Sequence, residues 1–325
     1  MIETFRRFNP KGNLRVKYKD DSGSEGIWEA NQQELLDRII AIVEAYQQQG
    51  IKLTNRQLYY QLVSDGNMPN SEATYKRICT FLTDARYGGR IDWEAIEDRG
   101  RQPHIPLEFA SIKERIDLAV RNFRLERWSD QDCYVELYSE KQAMESVLQP
   151  VADKFHITFG ANKGYSSAST MYDLAQRIKD KINDGKRCIV LYFGDHDPSG
   201  LDMVRDIRDR IGEFLTGGDN PIQVDEEIED FFEVKPLALN MSQIKKYNPP
   251  PNPAKITDPR AKWYIQKYGE KSWELDALKP NVLIKLAEDG VLEVLDVGKY
   301  NAWIKLENKQ KKALQEFGNK LEVKK

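Results

Sequence analysis

Residues 187–203 read RCIVLYFGDHDPSGLDM, and upstream of them, at 133–148, stands CYVELYSEKQAMESVL. Each is an apolar run that ends in carboxylates and passes into an amphipathic pattern. RCIVLYFG is apolar enough to be buried on both faces, as an interior strand of a parallel sheet is. CYVELY reads as a second strand. Between them KQAMESVLQPVADKF has helical periodicity, with Pro150 expected to bend or end the helix. HITFG is then a strand and SSASTMYDLAQRIKDKI a helix, while LDMVRDIRDRIGEFL and FFEVKPLAL supply a further helix and a last strand. Alternation of this kind specifies an α/β fold with a mostly parallel sheet covered by helices.

In an open parallel sheet, ligands bind outside the carboxyl ends of the strands. Glu140 follows CYVELY, and Asp195 and Asp197 follow RCIVLYF. Three acids delivered there by separate strands repel one another unless a cation neutralises them. Hard oxygen ligands suit Mg2+ or Mn2+, which bridge to phosphate oxygens. The chemistry this serves is phosphoryl transfer. Asp202, in the following helix, is a further candidate ligand. Ordinary readings exist too: Asp197-Pro198-Ser199-Gly200 can be a turn and helix cap, and Glu140 a first-turn acid on a helix dipole. Finding both groups at strand ends of one α/β region favours the metal site. His196, between the two aspartates, should point away from them, because neighbours in extended chain alternate.

The first hundred or so residues have a different pattern. Asn31-Gln-Gln-Glu34 caps an amphipathic helix with Leu36, Ile39, Ile40 and Val43 on one stripe, ending at Gly50. A second helix starts at Thr54, with Gln57 as its capping-box partner, and closes near Gly66. A third, TYKRICTFLTDARYGG, buries Ile78, Phe81, Leu82 and Ala85, and RIDWEAI after it is expected to form a wing strand. Three helices and a short β element point to a winged helix-turn-helix. Lys76, Arg77, Thr80 and Thr83 lie off the buried stripe, where such a domain reads DNA, though a solvated helix face has the same pattern. The expected organisation is a winged-helix-like domain over 1–105, a helical connector over 106–130, and an α/β domain with a helical extension over 131–325.

SEKQAMESVL and GDHDPSGLDM together resemble the Toprim signature, a Glu motif followed by a DxD motif. Within that superfamily, EK-x-A and D-x-D-P-x-G are most similar to the A subunit of topoisomerase VI and its relative, the meiotic double-strand-break transesterase. The likeness covers roughly residues 132–210 well and the N-terminal region more loosely; WELDAL (273–278) is faintly similar to a downstream acidic motif. It implies that Glu140, Asp195 and Asp197 hold Mg2+, and that Lys141 contacts phosphate. It further implies a homodimer in which one subunit's tyrosine meets the other's Toprim site, with a separate ATPase partner for strand passage.

That family carries its nucleophile in an R-x-x-Y-Y context, matched here by Arg56-Gln57-Leu58-Tyr59-Tyr60. Helical geometry agrees independently. At about 100° per residue, Leu58, Tyr59, Leu62 and Val63 share one stripe, so Tyr59 faces the core and Tyr60 points away from it. Arg56 lies one turn before Tyr60 on the same side. A guanidinium there binds the phosphate and favours the phenolate. The plain alternative is that Tyr60 packs against a neighbouring domain.

Composition bounds the reading. The chain has 325 residues, 40% hydrophobic and 31% charged, with a net charge of −3, so any DNA-binding surface is a patch. No apolar run approaches the ~20 residues of a membrane span, and MIETFRRFNPKG lacks the apolar core of a secretory signal. Cys79, Cys133 and Cys188 are isolated, which suits a reducing, cytoplasmic setting. No GxxxxGK[ST] loop is present. Gly164-Tyr165-Ser166-Ser167 opens a helix where backbone N–H groups can bind phosphate or simply cap. Lys255, Arg260 and Lys262 border a proline-rich loop and are candidates for a DNA-facing patch. The acids lead to metal-dependent DNA cleavage, and the resemblance implies that it proceeds through a phosphotyrosyl intermediate. Two readings stand beside it: a hydrolytic endonuclease in which Tyr60 is dispensable, and a DNA-binding protein on an inert scaffold.

Overall fold

The computed structural model describes residues 4, 7–19, 25–64, 66, 68–97, 106–161, 168–217, 222 and 230–321. The Gly164–Ser167 segment lies outside them. Strands β1 (Asn13–Lys19) and β2 (Glu25–Asn31) form an antiparallel hairpin. The Asn31 side chain accepts from the N–H groups of Gln33 and Glu34 and starts α1 (Gln32–Gln47). Leu53–Thr54 (β3) leads into α2 (Asn55–Ser64). Thr54 and Gln57 cap it reciprocally, each side chain accepting from the other's backbone N–H. Ser71 caps α3 (Glu72–Tyr87), whose Ile78, Phe81, Leu82 and Ala85 are buried as its periodicity requires.

Among the described residues, 90–95 do not form the wing strand expected there. Residues 93–95 make a 3₁₀ turn, and Ile96–Glu97 (β4) pairs parallel to β3. The antiparallel hairpin of this region precedes the helices instead, and Leu14 joins their core. Next comes α4 (Ile112–Asn122), within the segment read as a helical connector.

Cys133–Ser139 (β5), Thr158–Ala161 (β6), Arg187–Phe193 (β7) and Phe232–Ala238 (β8) form a four-stranded parallel sheet in the order β6-β5-β7-β8. The protein is therefore a mixed α/β chain. Alternation along the strands sends Val135, Leu137, Ile189, Leu191 and Phe193 to one face and Tyr138, Cys188, Val190 and Tyr192 to the other. The first face is covered by α5 (Glu145–Phe155) and the second by α6 (Ala168–Asn183) and α7 (Pro198–Thr216). Pro150 does not end α5. It sits exposed on the outer side, while Val147, Leu148, Val151, Ala152 and Phe155 pack on the sheet and outweigh the lost backbone hydrogen bond.

The remainder of the chain wraps the same sheet. It contains α8 (Met241–Tyr247), a two-residue antiparallel pair of β9 (Asn252–Pro253) and β10 (Lys271–Ser272), and α9 (Ala261–Tyr268) between those strands. Helices α10 (Pro280–Leu292) and α11 (Val297–Asn319) finish it, with Leu283, Ala287, Val291 and Tyr300 in the first-face core. Helix α11 is tied back to residues 125–127 by Glu307, which accepts from Arg127 Nε and Nη2 at 2.9 and 2.8 Å and from Leu125 N at 3.1 Å. No helix among the described residues is long and apolar enough to cross a membrane.

Candidate active site

Register places the acids. Ser139 lies opposite Phe193 in the β5–β7 ladder, and the next residue, Glu140, continues it by donating its N–H to Phe193 O at 2.8 Å. Glu140 Oε2 accepts from Asp195 N at 2.9 Å, so the two strand ends are joined by a carboxylate. Asp197 caps α7, its Oδ1 accepting from Gly200 N at 2.6 Å and Ser199 Oγ at 2.8 Å. The cap reading of Asp-Pro-Ser-Gly is thus realised, and Oδ2 of the same carboxylate lies 3.7 Å from Lys255 Nζ. Glycine is required at position 200 for space: a Cβ there meets Asp195 O at 2.3 Å and Glu140 Oε2 at 3.0 Å. Gly200→Ala is expected to cost about 1–3 kcal/mol in urea unfolding, by pushing backbone against backbone. An unchanged midpoint would refute the close approach.

His196 points away from the acids, as alternation requires. It is 2% exposed, and its Nδ1 lies 2.9 Å from the Tyr264 hydroxyl. That hydroxyl is 2.8 Å from His196 O and 3.0 Å from Lys271 O; it donates its one proton to backbone and accepts from Nδ1–H. Asp202 is not with the acids. Arg205 and Arg260 pair with it at 2.8 and 2.7 Å, because its helix turns it outward.

The segment carrying WELDAL joins the acids through the backbone. His196 and Trp273 exchange hydrogen bonds of 2.8 and 3.0 Å as an antiparallel bridge, which lays 273–276 beside 195–197. Leu275 N then donates to Asp195 Oδ1 at 2.8 Å. A 3₁₀ turn over Leu275–Ala277 follows, and Glu274 and Asp276 both reach Lys141, whose Nζ lies 2.9 Å from Asp195 Oδ2, 2.9 Å from Glu274 Oε2 and 2.7 Å from Asp276 Oδ2. The ammonium donates hydrogen bonds to Glu274 and Asp276 and forms an ion pair with Asp195. Asp276 is fully buried, and its Oδ1 has no hydrogen-bond partner.

The electrostatics follow from burial. Glu140 is pushed above the usual carboxylate range by burial, opposed by the Asp195 N–H and reinforced by Asp197. Asp195 is raised by burial and by Glu140, with Lys141 opposing. Burial works against the charge on Lys141, but Asp195, Asp276 and Glu274 outweigh it and hold the ammonium charged. Among the described residues, five carboxylates (Glu140, Asp195, Asp197, Glu274, Asp276) share Lys141, Arg56 and Lys255. With all five ionised, the excess of two negative charges equals the charge of one divalent cation. Among the described residues no group of three His, Cys, Asp or Glu is arranged to hold a metal ion as it stands. Each acid already has a partner on one oxygen: Asp195 Oδ2 pairs with Lys141, Asp197 Oδ1 accepts the cap bonds and Glu140 Oε2 accepts from Asp195 N. The donors are all hard oxygens of the kind Mg2+ and Mn2+ bind. Holding an ion with Glu140, Asp195 and Asp197 requires Lys141 to give up Asp195.

Arg56 and Tyr60 meet this cluster within one chain. Arg56 Nη2 lies 2.7 Å from Glu274 Oε1, so a single carboxylate bridges α2 and Lys141. The Arg56 guanidinium carbon lies 5.9 Å from the Tyr60 ring centroid, and Asn252 lines the same cavity, donating to Glu274 Oε1 at 3.2 Å and accepting from Asn70 at 2.6 Å. Tyr59 has a separate role. Its hydroxyl accepts from Ser71 N at 2.9 Å and lies 3.0 Å from Pro69 O, fixing the turn before α3. The wheel separates the two tyrosines correctly, since Tyr59 joins the N-terminal core and Tyr60 does not. Tyr60 is nonetheless only 2% exposed, because the 252–274 segment covers the face the wheel leaves free. Burial, then Glu274, pushes its phenol up, and Asn252 and Arg56 only partly counter this. Arg56 favours the phenolate less than expected, because its charge is shared with Glu274.

Tyr60, Arg56, Ser71, Tyr75, Asn252 and Lys255 line a cavity of about 290 Å³. Lys76, Arg77, Thr80 and Thr83 are exposed as expected but do not line it. Lys76 pairs with Glu72 at 2.7 Å, and the Thr80 and Thr83 hydroxyls bond back to carbonyls of their own helix. No family model, curated protein or solved structure matches the chain.

Proposed function

We propose that this chain cleaves DNA in a metal-dependent reaction, as a Toprim-type enzyme with a winged-helix-like N-terminal domain, similar to the topoisomerase VI A subunit. The observation that carries the reading is Glu274, which accepts from Arg56 with one oxygen and Lys141 with the other. Through it, a tyrosine and arginine on one domain and three strand-end acids on another share one site. Arg56 orients the phosphate. The Tyr60 oxygen attacks phosphorus and the bond to the leaving sugar oxygen breaks, the phenol proton passing by way of water to that oxygen, which leaves a phosphotyrosyl end and a free sugar hydroxyl. Lys141 offers a second cation to the phosphate once it releases a carboxylate. Mg2+ or Mn2+, held by Glu140, Asp195 and Asp197, supplies charge neutralisation at the phosphate oxygens when bound. Cutting both strands takes two copies of the chain, and strand passage a separate ATPase. The tyrosine lies against the acid site of its own chain, unlike the arrangement between subunits that the resemblance implies.

A hydrolytic reading has one observation of its own, the burial and raised pKa of Tyr60. Supercoiled plasmid incubated with Mg2+ or Mn2+ and quenched in detergent, with and without proteinase, separates the two. Protein-linked ends lost in both Tyr60→Phe and Glu140→Ala are expected. Free ends that need Glu140 but not Tyr60 would establish hydrolysis. Intact plasmid with either ion would mean a missing partner, a different DNA substrate or an inert Toprim scaffold that only binds DNA.

A further inference from the structure

A second, larger cavity of about 650 Å³ adjoins the candidate active site and differs from it in chemistry. Pro253, Ala254, Ile256 and Ile265 give it apolar walls, with Lys271 and Glu270 at its rim. Asn252 lines both cavities, so this groove shares a wall with the one that holds Arg56 and Tyr60. Lys255, which follows Ala254 in sequence, also lines the Tyr60 cavity; its side chain is 73% exposed.

The walls are held firmly. Asn252–Pro253 pairs with Lys271–Ser272, and Ala254 N donates to Glu270 O at 2.8 Å. Helix α9, which contributes Ile265, is pinned by Tyr264 to His196, the residue between the two aspartates. The groove is therefore preformed and fixed in position relative to the acids. Ile256 stands at its wall with 82% of its surface exposed, next in sequence to Lys255.

We infer that this groove receives an unstacked nucleobase of the DNA whose phosphate lies at Arg56 and Tyr60, so that the substrate is DNA with an unpaired nucleotide next to the cleaved bond. The inference rests on the DNA-cleavage reading above. Apolar walls suit the faces of a base, and Lys255 and Lys271 suit the flanking phosphates. In an intact duplex both faces of each base are covered by its neighbours, so only a base that has left the stack reaches such a groove.

The test is equilibrium binding in EDTA, by fluorescence anisotropy, of a perfect duplex and of the same duplex with one unpaired 2-aminopurine. Wild type is expected to prefer the bulged duplex about tenfold, the order of effect of burying one base face against apolar side chains, with a change in 2-aminopurine emission. Ile256→Glu, at an exposed position, should abolish both the preference and the emission change. Ile256→Trp should keep both. Equal binding of the two duplexes with silent 2-aminopurine overturns the inference and leaves the cleavage reading intact. No binding of either duplex by wild type overturns both. A preference that survives in Ile256→Glu also overturns the inference, because the base then lies elsewhere.

Discussion

Lys141→Met is expected to lower the unfolding free energy by about 3–5 kcal/mol, the usual result of removing one partner from a buried ionic group. Methionine keeps the length of the side chain and discards the charge. Asp195, Glu274 and Asp276 are then left facing one another, with only Glu274 still paired, to Arg56. Denaturant unfolding of the two proteins measures the loss. Divalent ions make the experiment sharper. If Glu140, Asp195 and Asp197 hold Mg2+ or Mn2+, an added ion competes with Lys141 in wild type but not in Lys141→Met. The ion should therefore raise the midpoint of the variant more than that of wild type. Equal shifts in both proteins would show that no ion takes the place of the ammonium.

Glu307→Gln is expected to cost about 3 kcal/mol at neutral pH, and the cost should fade in acid. The carboxylate is 1% exposed. Burial alone would raise its pKa, but Arg127, Lys311 and the Leu125 N–H outweigh burial and hold it at about 2. In the unfolded chain a glutamate titrates near about 4.3. A carboxylate whose folded pKa is depressed stabilises the fold above the unfolded value and loses that contribution as pH falls through the folded one. The gap between wild type and Glu307→Gln should therefore be full at neutral pH and close as pH falls from about 4.3 toward about 2. Urea unfolding across that range decides it. A gap that stays constant would place the stabilisation outside the Arg127–Glu307 pair.

The sheet was legible because interior strands are apolar over their whole length and carry little ambiguity. Cys133–Ser139 and Arg187–Phe193 are buried on both sides, and their acids sit at the ends where the fold delivers them. His196 was legible from alternation alone. The β1–β2 hairpin was not, since its second strand is half exposed along its length and has no apolar stripe to read. Glu274 and Asp276 were nearly invisible for a different reason. Two acids on a short irregular segment become part of a site only through the backbone bridge from Trp273 to His196, a contact between distant stretches that no local pattern encodes. Tyr60 shows the limit of a helical wheel. The wheel identifies the face turned from the core, but whether water or another segment lies there depends on residues 252–274.

Glu274 has one further consequence. Its two oxygens answer to two different cations, Arg56 on the N-terminal side and Lys141 among the acids. An anion that draws Arg56 away leaves more of the Glu274 charge for Lys141 and tightens that grip; one that draws Lys141 away tightens the hold on Arg56. Thermodynamic linkage makes these effects reciprocal, so occupancy at either cation alters affinity at the other by the same factor. The two halves of the site are therefore coupled before any substrate arrives, through a single side chain.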